Sequence, residues 1–346
     1  MEASVEQVSI IGLDIAKSVF QAHGADASGK VVFREKIRRA KLLEFFASKP
    51  PCTVVMEACG GAHHWGREIA KLGHQVKLIA PKYVKPFVKR QKNDAADAEA
   101  ICEAAMRPTM RFVAVKSETV QASALVFRTR DILVRQRTQL INAVRGHLTE
   151  SGVVVAQGTA HFKKLAAHLA DPASGLPEEA RSVLSLLVQT VTSLDEKISA
   201  LDKEIARRAR EDEIARRLMS IPGIGPITAT AIAALAPPAE TFRKGRDFAA
   251  WVGLTPLQKS SGGKQKLGAT SKMGERTIRR LLIIGAATVV RQDAMRGAPP
   301  TSWLARMLVR KPRMLVIVAL ANKMARIAWA LLVKGEDYKA PVVAAA

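Results

Sequence analysis

From residue 8 to residue 115, short apolar runs alternate with turn signals and amphipathic stretches. VSIIGLDIA (8–16) reads as a buried strand, and SVFQAHGAD (18–26) and KVVFREKI (30–37) follow it as two more, with the ASGK turn between those two. RAKLLEFFAS (39–48) predicts a helix, CTVVMEA (52–58) a strand, and GGAHHWGREIAKLG (60–73) a helix ended by Gly73. HQVKLIAP (74–81) is a strand stopped by Pro81, and residues 93–106 are helical up to Arg107-Pro108. The order βββαβαβα belongs to the ribonuclease-H-like α/β fold.

Beyond residue 115 the period changes to that of helices. Residues 116–150 predict one long basic helix, with Arg128, Arg135 and Asn142 seven apart and Arg130 and Arg137 in the same rhythm. Leu133, Leu140, Val144 and Leu148 line another face. Such a helix either packs with a solvated charged face or tracks phosphates. Residues 151–177, with Gly, Pro and Ser, read as a loop-rich connector. Then Leu184, Leu187, Val191, Leu194, Ile198, Leu201 and Ile205 alternate steps of three and four, an a/d seam that predicts a coiled coil within the chain or against a second subunit. Residues 214–335 are mostly helical. The expected domains are 1–115, 116–213 and 214–346.

Charge narrows the function. Lys plus Arg number 54 against 31 Asp plus Glu, a net +23, and the pI is near 10.3. A charge this large calls for a polyanion, and nucleic acid is the usual one. An anionic membrane would favour one basic amphipathic face, whereas here the cations are spread along the whole length. MLVIVALANKMARIAWALLV (314–333) is interrupted by Lys323 and Arg326 and reads as a buried helix, not a membrane span. Cys52, Cys59 and Cys102 fit no zinc spacing and are expected as reduced thiols of a cytosolic protein.

Against this basic background the carboxylates in KNDAADAEAI (92–101) stand out. Asp94 and Asp97 lie one turn apart on one helix face, Asp14 ends the first strand and Glu57 the fourth. The ribonuclease-H-like topology brings these positions to one edge of the sheet. Four carboxylates there repel one another unless cations sit between them, and hard ions such as Mg²⁺ suit an all-oxygen site at a phosphate. Glu99 is expected to point away into solvent. IPGIGP (221–226) suggests a helix-hairpin-helix turn in which Gly223 and Gly225 expose backbone N–H groups to a phosphate, or a plain helix connector. QKSSGGKQK (258–266) sets Ser260 and Ser261 among Lys259, Lys264 and Lys266. It is not a P-loop, since Gln258 and Gln265 stand where that motif needs Gly and Ser/Thr. It is a flexible surface loop, or a serine poised to attack a phosphodiester with lysines stabilising the charge. His63 and His64 fall in the first turn of a helix, and no Ser-His-Asp order supports a hydrolase triad.

GLDIAKSVFQAHG, VVMEACGGAHHW, KNDAADAEAI, SIPGIGPITATAIAAL and GLTPLQKSSGGKQKLGATSKMGERTIRRLLIIGA, in this order, resemble the DEDD transposases of insertion sequences. More specifically they resemble the IS-one-ten group of bridge-RNA-guided serine recombinases, nearest its eleven-eleven subgroup, over roughly residues 8–335. The resemblance implies a RuvC-like N-terminal domain with Asp14, Glu57, Asp94 and Asp97 as a Mg²⁺-binding tetrad, and a C-terminal domain with a catalytic serine. Relatives with S-S-G-G or S-T-G-G favour Ser260 over its neighbour Ser261. The resemblance further implies a structured bridge RNA that pairs with donor and target DNA, dimers and tetramers with composite sites, and a phosphoserine link to DNA. Nucleic-acid contacts are expected at Arg128, Arg130, Arg135, Arg137, Gly223, Gly225, Lys259, Lys264, Lys266 and Lys272, in the bacterial cytoplasm at the nucleoid. Two rivals are a RuvC-type structure-selective nuclease, which needs no serine, and a non-catalytic binder of RNA or DNA, which needs no carboxylate tetrad.

Overall fold

The computed structural model describes residues 8–89, 93–158, 161–296 and 302–339. The chain divides into two compact units, Met1–Thr119 and Val120–Ala346.

The first unit is built on a six-stranded sheet. Its strands are β1 (Ile10–Asp14), β2 (Val19–Ala25), β3 (Val31–Arg38), β4 (Thr53–Glu57), β5 (Gln75–Ile79) and the two-residue β6 (Phe112–Val113), in the order β3-β2-β1-β4-β5-β6. β1 runs antiparallel to β2 and parallel to β4, and β4 runs parallel to β5 with Glu57 beside Ile79. The expected order of strands and helices along the chain is found. The helices are α1 (Leu42–Ala47), α2 (Ala62–Lys71), α3 (Pro81–Val84) and α4 (Asp94–Ala105); α3 and β6 were not foreseen, being too short to show a period.

Side-chain alternation explains the layering. Ile11, Leu13, Val54 and Met56 face one core with Leu42, Phe46, Trp65 and Ile69 of α1 and α2. Val55 and Ile79 point to the other side, into a core with Ala100, Ile101 and Ala104 of α4. Gly12 sits on that second face, where an added Cβ would come within 2.3 Å of the Ala98 carbonyl and 2.7 Å of the Cys102 nitrogen. The missing side chain lets α4 lie directly on β1.

The second unit is helical, apart from one hairpin. α5 (Glu118–Glu150) begins at the boundary, and α6 (Phe162–Ala170), α7 (Glu178–Glu211), α8 (Glu213–Met219), α9 (Pro226–Leu235) and α10 (Gly245–Val252) follow. β7 (Pro256–Gln258) and β8 (Leu267–Thr270) form the hairpin, and α11 (Arg276–Arg296), α12 (Trp303–Arg310) and α13 (Arg313–Lys334) close the unit. Part of the stretch expected as connector is helical: α6 buries Phe162, Leu165 and Leu169 against Ile141, Val144 and Leu148 of α5 and Leu184 and Val191 of α7. The boundary expected at residue 213 falls inside one core that joins Phe127 of α5 and Ile205 and Ala209 of α7 to Leu218, Ile232, Phe248, Leu282 and Met324.

The heptad seam of α7 buries Leu184, Val191, Leu194, Ile198 and Ile205. Arg130 pairs with Asp202, and Arg137 with Asp195. Seven residues forward on α5 match seven backward on α7, so the two helices pack antiparallel within the chain. α13 is 22 residues long and holds an 18-residue window of mean hydropathy 1.7, enough by length and composition for a membrane span. Its Val316, Ile317, Ala321, Met324, Ala325, Ala328 and Leu331 are buried in the protein instead.

Candidate functional site

Two groups of side chains have the chemistry for work on phosphodiesters, one in each unit. The first is built by the contact at Gly12. α4 presents Asp94, Asp97, Ala98, Ile101 and Cys102 on one face; Ala98, Ile101 and Cys102 are buried. Because the helix rests on β1 there, its first turn meets the end of the strand. Carboxylate oxygens of Asp14, Asp94 and Asp97 all lie within 4.8 Å of one another. Asn93 caps α4, its side chain accepting the Ala96 N–H at 2.8 Å, which fixes the turn that carries both aspartates.

Burial, then the charges of Asp97, Asp94 and Glu57, raise the Asp14 carboxyl from 3.8 to about 6, while the Ile15 backbone N–H works in the opposite direction. Three hard oxygen donors that repel one another are a donor set suited to a divalent cation. Glu57 ends β4 as expected but is not one of the three mutually close groups. Its charge nevertheless acts on Asp14 and on Cys59, whose thiol, in an exposed residue but partly desolvated by its surroundings, is raised first by that desolvation and then by Glu57 and Asp14. Glu99 departs from expectation: it is partly buried and salt-bridged to Arg34 at 3.0 Å and Lys89 at 2.5 Å. His63 lies in the first turn of α2, where its Nδ1 accepts the Lys116 N–H. Cys52 and Cys102 are buried, their thiols pushed by burial up to about 11, while Cys59 is exposed.

The second group is the β7–β8 hairpin. The serine stretch is an ordered turn and not an irregular loop. Ser261 and Lys264 form a bridge, the Lys264 N–H donates to the Ser261 carbonyl at 3.0 Å, and Gly262 and Gly263 between them have φ of +55° and +73°. Two positive φ values in a two-residue connection are what a primed hairpin turn needs, and glycine supplies them without steric cost. The Ser260 hydroxyl oxygen accepts the Lys266 backbone N–H at 3.1 Å and the Gln258 amide at 3.3 Å. Among the described residues the Ser261 hydroxyl has no hydrogen-bond partner. Lys259, Lys264 and Lys266 are all exposed on the same hairpin.

Lys272 follows β8 and is the one non-glycine with positive φ among the described residues, at 53°. It is held there from both sides. Its N–H donates to the Gly253 carbonyl at 3.2 Å, and Arg279 donates to the carbonyls of Val252 and Met273. A Cβ on Gly274 would meet the Trp251 carbonyl at 1.6 Å.

The other expected contacts are distributed unevenly. Arg128 and Arg135 are exposed on α5. Arg130 and Arg137 are mostly covered and engaged with Asp202 and Asp195, so they are held in the helix pair. The IPGIGP turn joins α8 and α9. Gly223 has φ +86° and its carbonyl lies against Gly285 of α11, where an added Cβ would approach it to 2.0 Å. Gly225, just before α9, faces open space.

Two family models and several curated relatives match this chain. Residues 11–152 match the DEDD transposase family model of IS110, described as "Transposase", and residues 215–298 match "Transposase IS116/IS110/IS902 family". A Pseudomonas aeruginosa protein described as a probable family 20 transposase is 48% identical, covering 96% of this chain and 99% of its own. The transposase for insertion sequence element IS1111A of Coxiella burnetii is 41% identical (97% of this chain, 93% of its own). The transposase for insertion sequence element IS1328 of Yersinia enterocolitica is 40% identical (95% and 98%). With similarity along nearly its whole length, and a mixed α/β first unit compatible with a RuvC-like fold, this chain belongs to the IS110/IS116/IS902 family of insertion-sequence transposases.

Proposed function

We propose that this transposase is an RNA-guided DNA recombinase that cuts and rejoins donor and target DNA through a serine nucleophile, assisted by Mg²⁺ at the carboxylates. The observation that carries the metal half is the convergence of Asp14, Asp94 and Asp97. These three would hold the ion, with Glu57 alongside, and Mg²⁺ bound there supplies charge neutralisation at a phosphate. Support for the serine half comes from the hairpin. Ser261, next to two glycines, is the second candidate; Ser260, which the motif favours, takes the nucleophile's place, its oxygen oriented by the two hydrogen bonds it accepts and its own O–H left to give up. Its Oγ bonds to phosphorus as one P–O bond to a deoxyribose oxygen breaks. The serine gives up its proton, and the departing oxygen ends as a hydroxyl. Lys259, Lys264 and Lys266 oppose the charge that develops.

Arg128, Arg135 and Lys272 would grip phosphates, as would the backbone near Gly225 of a helix-hairpin-helix turn. Guidance by a bridge RNA, assembly into dimers and tetramers, a site composed from the carboxylates of one subunit and the serine of another, and action at the nucleoid of a bacterial cytoplasm rest on the motif resemblance. The rival is a RuvC-type nuclease that uses the carboxylates and water alone. A denaturing gel separates the two. Protein, element-derived RNA, Mg²⁺ and both DNAs are combined for wild type, Ser260→Ala, Ser261→Ala and Asp97→Ala. A protein–DNA adduct that disappears in Ser260→Ala and persists in Ser261→Ala is expected, and the reverse pattern would name Ser261. Cleavage without an adduct, indifferent to both serines, would leave the nuclease.

A further inference from the structure

Residues 294–335 contain eight Lys and Arg and no Asp or Glu. They lie largely beyond the stretches that the family models match. Several arginines elsewhere in the second unit are neutralised at close range, though others, such as Arg128, are not. Arg207 sits between Glu204 and Glu211, Arg217 reaches Glu213, and Arg280 pairs with Asp131. Nothing comparable happens at the elbow between α12 and α13. Leu304 and Leu308, four apart, face the core and set the helix's orientation. Arg306 and Arg310 are exposed, and so are Lys311 and Arg313 around Pro312. None of these four has a carboxylate within salt-bridge distance among the described residues. Ser302 caps α12 through the Ala305 N–H, and the Lys311 N–H closes its last turn on the Met307 carbonyl, so the elbow is an ordered platform. Val309, 88% exposed, and Met314, 63% exposed, stand between the cations.

We propose that the α12–α13 elbow is a binding surface for the backbone of duplex DNA, with Arg306, Arg310, Lys311 and Arg313 contacting successive phosphates. Four exposed, uncompensated cations within eight residues complement a polyanion. The apolar tips between them suit the sugar faces that separate phosphates. The inference rests on DNA being the substrate of this transposase, and it adds a contact made by residues other than the serine hairpin and the carboxylates.

The test is a salt titration of full-length protein on a ~30-base-pair duplex, read by fluorescence anisotropy. Wild type is compared with a triple variant, Arg306→Ala, Arg310→Ala and Arg313→Ala. A charge-matched control carries Arg181→Ala, Arg207→Ala and Arg217→Ala, at positions paired with Glu178, with Glu204 and Glu211, and with Glu213, and an Arg→Lys triple at the elbow checks folding. Removing one cation from a phosphate lowers the slope of log affinity against log salt by about 0.9. The elbow variant is expected to fall by about 2 to 3 in slope and at least tenfold in affinity at 0.1 M salt, with the Lys triple close to wild type and the slope of the control changed by less than about 1. An unchanged slope, or an equal fall in the control, overturns the surface. So does a weakening confined to single-stranded RNA or to anionic lipid vesicles. If wild type itself shows no salt-dependent affinity for DNA, the functional reading fails instead.

Discussion

Asp14→Asn is expected to make the metal-free protein more stable and the metal-loaded protein inactive. The folded pKa of Asp14 is raised from 3.8 to about 6, so between about pH 4 and pH 6 the folded chain keeps a proton that the unfolded chain has released. Stability therefore falls as pH rises through that window, and above it the cost of the buried, crowded charge is complete. Taken whole, a displacement of that size corresponds to about 3 kcal/mol. Asp14 is half-buried, and solvent screening reduces this to about 1–2 kcal/mol. Asparagine keeps an acceptor for the Ile15 N–H and removes the charge. In chelator at pH 7.5 the variant should then melt about 4–8 °C above wild type, since about 1 kcal/mol moves a domain of roughly 100 residues by several degrees. At pH 4 the two should coincide. Added Mg²⁺ should raise the melting temperature of wild type and leave Asp14→Asn nearly unmoved, because binding to the folded state alone stabilises it. Scanning fluorimetry across this grid decides it. A variant less stable than wild type in chelator at pH 7.5, or an equal Mg²⁺ shift in both proteins, would refute the assignment of Asp14 to a crowded cation site.

Gly12→Ala should cost about 1–3 kcal/mol by urea denaturation and abolish the Mg²⁺-dependent melting shift, since the new methyl pushes α4 off β1. Asn93→Ala should cost about 1 kcal/mol, while Asn93→Ser keeps the cap and wild-type stability. Arg128→Ala should weaken DNA binding in a gel-shift assay more than Arg130→Ala does. The Arg130/Asp202 double-mutant cycle should instead give a coupling of about 0.5–1 kcal/mol in stability.

Much of the first unit was legible because its strands alternate or run apolar at lengths that helices do not match, and because Asp14 and Glu57 stand at strand ends where the period stops. What brings Asp97 to Asp14 was not legible. Gly12 looks like any glycine in an apolar run until the helix against it is seen. The α5–α7 pairing was half visible: the seam of α7 was plain, but its partner was identified only by Asp195 and Asp202 reaching arginines some sixty to seventy residues away. That Arg130 and Arg137 are ion-paired across to α7 could not be read from their seven-residue spacing for the same reason. α6 was missed because Gly, Pro and Ser on either side of it dominate the stretch. The serine hairpin had a usable signal, Gly-Gly between two short extended runs, which was outweighed by the polar character of its neighbours.

The antiparallel helix pair also works as a ruler. α5 is 33 residues long, about 50 Å at 1.5 Å per residue. Its register is pinned twice, by Arg130–Asp202 and by Arg137–Asp195. A one-turn slip breaks both pins at once. An insertion in α5 alone is out of step with α7, whereas seven residues added to each helix restore every contact and lengthen the arm by about 10 Å. A change of length that keeps both pins is therefore one made in matched heptads, in coarse increments of reach.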